Sequence, residues 1–386
     1  MKTYNVLVLG PSGSGKTVFL GSMYNKLSIQ RSDVGFLLRT SDSQRMQLLG
    51  VYDTVRDASA QKWPAPTKPA DTSQWTFTCR VRIADGRLTD ALQINYWDYA
   101  GELLTSPTAE TAASTEILTR SETADALVAL IDGWKVFAAL NDITPVSGTI
   151  FSDLDYLLPM IENNPNPVQF VVTKWDLLED RYSLEDVKSL LRRSDLFDHF
   201  LRSRHSSPAA VRLIPVSSVG RGFAAMKIHD GSAMMEKTGA QPRPFQVEMP
   251  LACVLPDQLT KQLEEVKVRK TQLAQQTPSA KPTYTFSDLA AGTVANVFRI
   301  IRLFLPANYQ FSEAGLLALA QFSDRRIARR REEAARMQQE LLAKRDASLR
   351  DVTNEETAVN HVIDSFLFLV HTLEMEFPTS DLRESQ

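Results

Sequence analysis

The stretch Gly10-Pro11-Ser12-Gly13-Ser14-Gly15-Lys16-Thr17 fits the pattern G-x-x-x-x-G-K-[ST] without a mismatch. Glycines at 10, 13 and 15 let several backbone amides turn toward one point, a concavity suited to an anion. Lys16 adds a mobile positive charge, and Thr17 adds a hydroxyl suited to Mg²⁺ at the start of a helix whose dipole favours phosphate. Ser12, Ser14 and Val18 complete the expected phosphate-side set. The apolar run 5–9 before the loop and the apolar segment from Val18 onward read as strand, loop and helix, not as a Gly/Ser linker.

Three stretches further along decide which phosphate compound such a loop would hold. Trp97-Asp98-Tyr99-Ala100-Gly101-Glu102 is a D-x-x-G directly after an apolar run. Asp98 at a strand end can hold Mg²⁺ through a water, and the Gly101 N–H can sense a terminal phosphate. Thr173-Lys174-Trp175-Asp176 follows the apolar run 168–172. A carboxylate there accepts from both N1–H and the 2-amino group of guanine, whereas adenine offers no such donor pair. The Lys174 stem can cover the flat face of a base. Pro215-Val216-Ser217-Ser218 follows another strand-like run, and its backbone amides can contact the guanine oxygen. Each stretch alone also reads as an ordinary strand-end loop, and their order carries the case.

The elements that must position these residues follow from hydrophobic periodicity. Apolar runs of strand length recur at 5–9, 91–97, 126–131, 168–172 and 211–216, separated by helical or loop-like segments, which predicts an α/β fold with a mostly parallel sheet and helices on both faces. Residues 75–83 alternate strictly, and Ala84-Asp85-Gly86-Arg87 supplies a turn before 91–97, so an antiparallel hairpin with an edge strand is expected. Every candidate site then sits at the carboxyl end of a strand, where open α/β sheets bind ligands. A helix is expected over 41–60 with Met46, Leu49, Tyr52 and Val55 on one face, followed by a loop holding Pro64, Pro66 and Pro69.

Phosphate loop, hairpin, D-x-x-G, T-K-x-D and S-S, in that order over residues 1–225, resemble the translation-factor and Ras-like (TRAFAC) class of P-loop GTPases. The resemblance implies a G domain that binds GTP or GDP with Mg²⁺. Thr173, Lys174 and Asp176 match the family's [NT]-K-x-D guanine motif, and Ser217 and Ser218 match its S-A-[KL] loop in part. It also implies a threonine in the first switch loop that closes over Mg²⁺ and the γ-phosphate. Thr67 is the expected match, favoured over Thr72 by the flanking prolines. Glu102 stands where Ras-like members carry the glutamine that orients the attacking water. A carboxylate beside a triphosphate is electrostatically disfavoured, yet it can still hold water as an acceptor, so slow intrinsic hydrolysis is expected. Trp63-Pro64-Ala65-Pro66-Thr67 is similar to a set of bacterial GTPases of conflict and defence systems.

At 386 residues the chain is long enough for more than one core. The expected division is a G domain at 1–250, a helix and linker at 251–282, and a helical C-terminal domain at 283–386. Lys and Arg number 43 against 46 Asp and Glu, so no global field draws the chain to nucleic acid or membrane. Cys79 and Cys253 read as packing residues of a reducing compartment, and with no apolar run of spanning length a cytoplasmic protein is expected. Residues 220–250 read as a Gly- and Pro-rich connection. Helices are expected over 256–276, 287–305 and 325–350, and a last one follows a capping box at Thr353 and Glu356. Arg325, Arg326, Arg329, Arg330 and Arg331 form a basic cluster, read either as a patch for an acidic partner or as a solvated helix with the acids that follow. The stripe over 287–305 reads as a packed face or as one for a membrane surface or partner. His361 and His371 lack ligand-like companions. The functional expectation is a GTP-hydrolysing switch that reports its state to a protein partner through the C-terminal helices; the alternative is a nucleotide-binding scaffold with negligible hydrolysis.

Overall fold

The computed structural model describes residues 1–57, 62–65, 73–83, 85–99, 101, 112–229, 232–276 and 331–383. A seven-stranded sheet runs in the order β2-β3-β4-β1-β5-β6-β7. Its strands are β1 (Lys2–Leu9), β2 (Leu37–Arg39), β3 (Ser73–Arg82), β4 (Leu88–Asp98), β5 (Ala126–Ile131), β6 (Val168–Val172) and β7 (Val211–Pro215). From β4 through β7 all pairings are parallel, and β5, β6 and β7 are buried along their whole length, as their unbroken apolar runs require. The expected hairpin is present, with β3 antiparallel to β4. A three-residue strand absent from the sequence reading, β2, pairs antiparallel outside β3, so the antiparallel strand is second from the edge. Three residues are too short to show a period.

Helices flank both faces of the sheet. Over one lie α1 (Lys16–Leu27), α2 (Asp42–Arg56) packed on α1, and two helices from the end of the chain, α8 (Met249–Gln276) and α10 (Glu355–Glu376). Over the other lie α3 (Ala112–Thr123), α4 (Gly133–Leu140), α5 (Thr149–Ile161), α6 (Leu184–Leu191) and α7 (Asp195–Arg204). The helix α9 (Arg331–Arg350) packs on α10.

The apolar face of α10 enters the same core as β1 and β4, with Val362, Ile363, Phe366 and Val370 buried beside Tyr4, Val6 and Tyr96. Phe366 meets Phe36 edge to face at 5.0 Å. Arg212 on β7, with no exposed surface, is held bidentate by Asp257 of α8 at 2.6 Å and by Glu374 of α10 at 3.0 Å. Such a buried cation is tolerated only because its donors are matched by carboxylates. The Leu382 amide donates to Val211 O at 2.9 Å, so the chain's last described residues pair with the outer edge of β7. Both cysteines are buried.

Three local expectations change. On α2 the buried residues are Leu48, Tyr52 and Val55 while Met46 is exposed, because the helix turns its 48–52–55 stripe toward α1. The last helix is capped by Asn354 with Thr357, not by Thr353 with Glu356. Residues 220–250 hold a hairpin, β8 (Ala224–His229) with β9 (Ser232–Lys237), where a connection was expected. The stripe at 287–305 and the arginine cluster from 325 to 330 lie outside the described residues. His361 and His371 are buried and bonded to the carbonyls of Gly35 and Ala334, as helix-packing residues.

Candidate functional site

The Gly-rich loop joins β1 to α1 as expected, with Gly13 and Gly15 at φ +80° and +89°, a region that side chains rarely tolerate. Gly10 is required for a different reason: a Cβ there would sit 2.9 Å from that of Leu130 on β5. The Lys16 ammonium folds back onto the loop, donating to Gly10 O and, at 3.5 Å, to Pro11 O. Thr17 and Val18 are half-buried on the first turn of α1, and Ser12 and Gly13 are exposed at the loop's rim.

Asp98 ends β4 beside this loop and is 3% exposed. Burial pushes its carboxyl up to about 6, against the opposing pull of Lys16, while burial lowers Lys16 and Asp98 draws it back. Asp98 Oδ1 and Ser14 Oγ are buried and have no hydrogen-bond partner among the described residues, an arrangement that costs free energy unless a ligand supplies one. A buried carboxylate oxygen lacking a donor, with a threonine hydroxyl on the adjacent helix turn, fits a small hard cation that takes its remaining ligands from water and phosphate. Among the described residues no group of three or more His, Cys, Asp or Glu is placed to hold a metal by itself. Gly101 lies against the loop so closely that a Cβ would fall 2.8 Å from Ser12 Cα. Glu102, Thr67 and Thr72 lie outside the described residues.

The second half of the site is tied to the first by side chains of the T-K-x-D stretch. Thr173 Oγ1 donates to Ser14 O at 2.8 Å and contacts Ile131 O at 3.1 Å. Lys174, in the left-handed region at φ +52°, donates through Nζ to Gly13 O at 3.0 Å and to Asp132 at 2.8 Å. Its ammonium thus braces the phosphate loop while its stem lies along the same side. Asp132 was missed by the sequence reading. It ends β5, caps α4 by accepting from the Trp134 amide at 2.9 Å, and is 5% exposed. The available signal was an aspartate between an apolar run and Gly-Trp, a helix-cap pattern.

Asp176 is half-buried, but its Oδ2 is buried and has no hydrogen-bond partner among the described residues. Its Oδ1 accepts from Ser217 Oγ, and Ser217 in turn accepts from the Gly220 amide at 2.8 Å. Burial raises the Asp176 carboxyl above the usual carboxylate range, and the Ser217 hydrogen bond works against that rise. The structure therefore brings Thr173, Asp176 and Ser217 together at the ends of β6 and β7, with Ser218 half-buried beside them.

This sheet order, with a phosphate loop after β1 and loops after β4, β6 and β7 beside it, is the plan of a P-loop nucleotide-binding fold. Residues 7–147, less than half of the chain, match the model of the family described as Double-GTPase 1, which supports guanine-nucleotide binding. No curated protein matches the sequence. Similar solved structures include a putative nucleolar GTP-binding protein 1 from Plasmodium falciparum, 9% identical over 71% of this chain and 95% of that one, with a TM-score of 0.34. The S. cerevisiae Ski7 GTPase-like domain bound to GTP is 14% identical over 56% of this chain and 43% of that one, with a TM-score of 0.33. The structure of sup35 complexed with GDP is 12% identical over 56% of this chain and 37% of that one, with a TM-score of 0.28. Among the described residues no helix is long and apolar enough to cross a membrane.

Proposed function

We propose that the chain binds GTP with Mg²⁺ and hydrolyses it slowly to GDP and phosphate, as a cytoplasmic switch read by a protein partner through its helical C-terminal region. The observation that carries this reading is the pair of buried carboxylate oxygens without a hydrogen-bond partner among the described residues, Asp98 Oδ1 beside the phosphate loop and Asp176 Oδ2 at the base side, with Thr173 and Lys174 bracing the loop between them.

In this reading the amides of Gly10 and of residues 12–18 receive the phosphates. Lys16 Nζ exchanges its two backbone carbonyls for charged phosphate oxygens, which are the stronger acceptors. Thr17, Asp98 and Thr67 hold Mg²⁺, which when bound neutralises charge on the β- and γ-phosphates. Gly101, seated against Ser12, offers its amide to the γ-phosphate. Asp176 Oδ2 accepts from the guanine, Ser217 holds that carboxylate in place, and Ser218 lies at the base oxygen. Glu102 holds the attacking water as an acceptor.

Glu102 in place of glutamine favours a second reading, a binding module that turns GTP over negligibly. Single-turnover hydrolysis with Mg²⁺ separates the two. Wild type is expected to exceed Lys16→Ala by about 10²-fold or more, the scale of losing one charge stabiliser. A wild-type rate equal to that of Lys16→Ala leaves the binding module.

A further inference from the structure

The guanine-side loop leads into the β8–β9 hairpin, which packs on the end of α2 and on Trp63. Ser217, bonded to Asp176, is followed by Gly220 and Phe223, and the β8–β9 hairpin grows directly from Phe223. The returning strand is stitched back to the same loop, since the Arg243 amide donates to Val219 O at 2.7 Å and Phe245 pairs with Ser217. Val219 and Phe223 form a small apolar cluster of their own with Val55 of α2, against which Val18 of α1 and Trp63 pack. The cluster joins the base-side loop, the first turn of α1 and the chain that leaves α2.

Lys237, the last residue of β9, is the hub of this junction and is 5% exposed. Its Nζ donates to Thr54 O at 2.7 Å and to Asp57 O at 2.8 Å, carbonyls of the last turn and cap of α2 that lie at the negative end of the helix dipole. The same ammonium lies 5.4 Å from the centre of the Trp63 ring, within cation–π range. The Trp63 indole donates to Met235 O at 2.9 Å, and its ring meets Phe223 edge to face at 6.1 Å. One lysine therefore gathers the end of α2 and Trp63 onto a hairpin rooted beside Asp176. Trp63 is four residues ahead of Thr67.

We propose that Lys237 is a positioning residue of the nucleotide site, holding the carbonyl end of α2 and Trp63 on the base-side hairpin so that the chain entering the first switch region is set for GTP over GDP. The proposal rests on the guanine-nucleotide reading above. Lys237 touches no nucleotide in it; the lysine acts through Trp63 and the carbonyl end of α2. A purely structural lysine would weaken GTP and GDP alike, whereas a residue that sets the γ-phosphate side weakens GTP selectively.

Dissociation of fluorescent GTP and GDP analogues from wild type, Lys237→Met and Lys237→Arg tests this, alongside hydrogen exchange of residues 54–65 in the nucleotide-free proteins. In Lys237→Met we expect GTP-analogue release to speed about tenfold, GDP-analogue release to change by less than about twofold, and 54–65 to exchange faster. Lys237→Arg, which keeps the charge and donors, is expected to restore most of the GTP preference. If Lys237→Met does not fold, Trp63→Phe, which removes the indole bond to Met235 and shrinks the ring facing Lys237 and Phe223, is read in the same way. Equal effects on both nucleotides, no effect on either, or unchanged exchange at 54–65 would overturn the proposal. A wild type that binds neither nucleotide would overturn the nucleotide reading itself, and this proposal with it.

Discussion

The Asp98 carboxyl offers a quantitative test that needs no ligand. Burial places its folded value at about 6, above the ordinary aspartate value of 3.8, so the folded protein keeps a proton that the unfolded chain gives up. Below about pH 4 both states are protonated, and the group costs nothing. As pH rises from about 4 to about 6 the folded state loses stability, and above about pH 6 the loss is complete. At about 1.4 kcal/mol per pH unit, the full loss is roughly 3 kcal/mol, an upper figure for a carboxylate facing a buried lysine. Asp125, Asp153 and Asp364 are also raised by burial, so the wild-type profile alone cannot isolate Asp98. The difference between wild type and Asp98→Asn can. Urea unfolding of both proteins without nucleotide or metal, from pH 4 to pH 7, should show wild type losing about 2–3 kcal/mol more than the variant across that range. Because a metal ion needs the ionised carboxylate, Mg²⁺–nucleotide binding below about pH 6 should also take up less metal and release a proton. Parallel stability profiles for the two proteins would refute the assignment of a buried, uncompensated carboxyl at Asp98.

Other substitutions probe the rest of the arrangement. Gly101→Ala puts a methyl into the backbone of Pro11 and Ser12, which cannot yield without moving the phosphate loop, so GTP affinity measured by calorimetry should fall by about 1–3 kcal/mol. An unchanged affinity would show that Gly101 leaves the loop when nucleotide binds. Lys174→Met and Asp132→Asn should be non-additive by about 1–2 kcal/mol in a double-mutant cycle read by nucleotide affinity, since Asp132 holds the Lys174 ammonium that bonds Gly13 O. Arg212→Met leaves the buried Asp257 and the half-buried Glu374 without their shared cation and should cost about 3–5 kcal/mol by urea unfolding, with the helical end and the sheet melting in one transition. Two separate transitions would show that α8 and α10 are not part of the sheet's core.

What the sequence disclosed follows from how local each signal is. Gly13, Gly15, Lys16 and Thr17 lie in one loop with a fixed spacing, and 126–131, 168–172 and 211–216 are apolar runs of strand length, so the loop and parallel core were legible. Asp176 stood out because the chemistry expected of it toward guanine is that of its own carboxylate, whose Oδ1 the structure sets on Ser217. Asp132, Trp63 and Lys237 were not, because their roles arise only when residues as far apart as 54 and 237, or 132 and 174, are brought together by folding. The stripe on α10 predicted a packed face but not its partner. Nothing local in Phe366 states that it meets Phe36 across the sheet. The three-residue β2 and the hairpin at 224–237 escaped because short strands carry too few residues for an alternation to stand out.

The central claim is that the phosphate loop and Asp176 form one guanine-nucleotide site. Calorimetric titration of wild type and Asp176→Asn with GTP and ATP in Mg²⁺ tests it most directly. Two charge-assisted hydrogen bonds to the base, at roughly 1.5–3 kcal/mol each, predict that wild type prefers GTP over ATP by at least about 10²-fold and that Asp176→Asn loses most of that preference. Equal binding of GTP and ATP by wild type, or a GTP affinity untouched in Asp176→Asn, would contradict it.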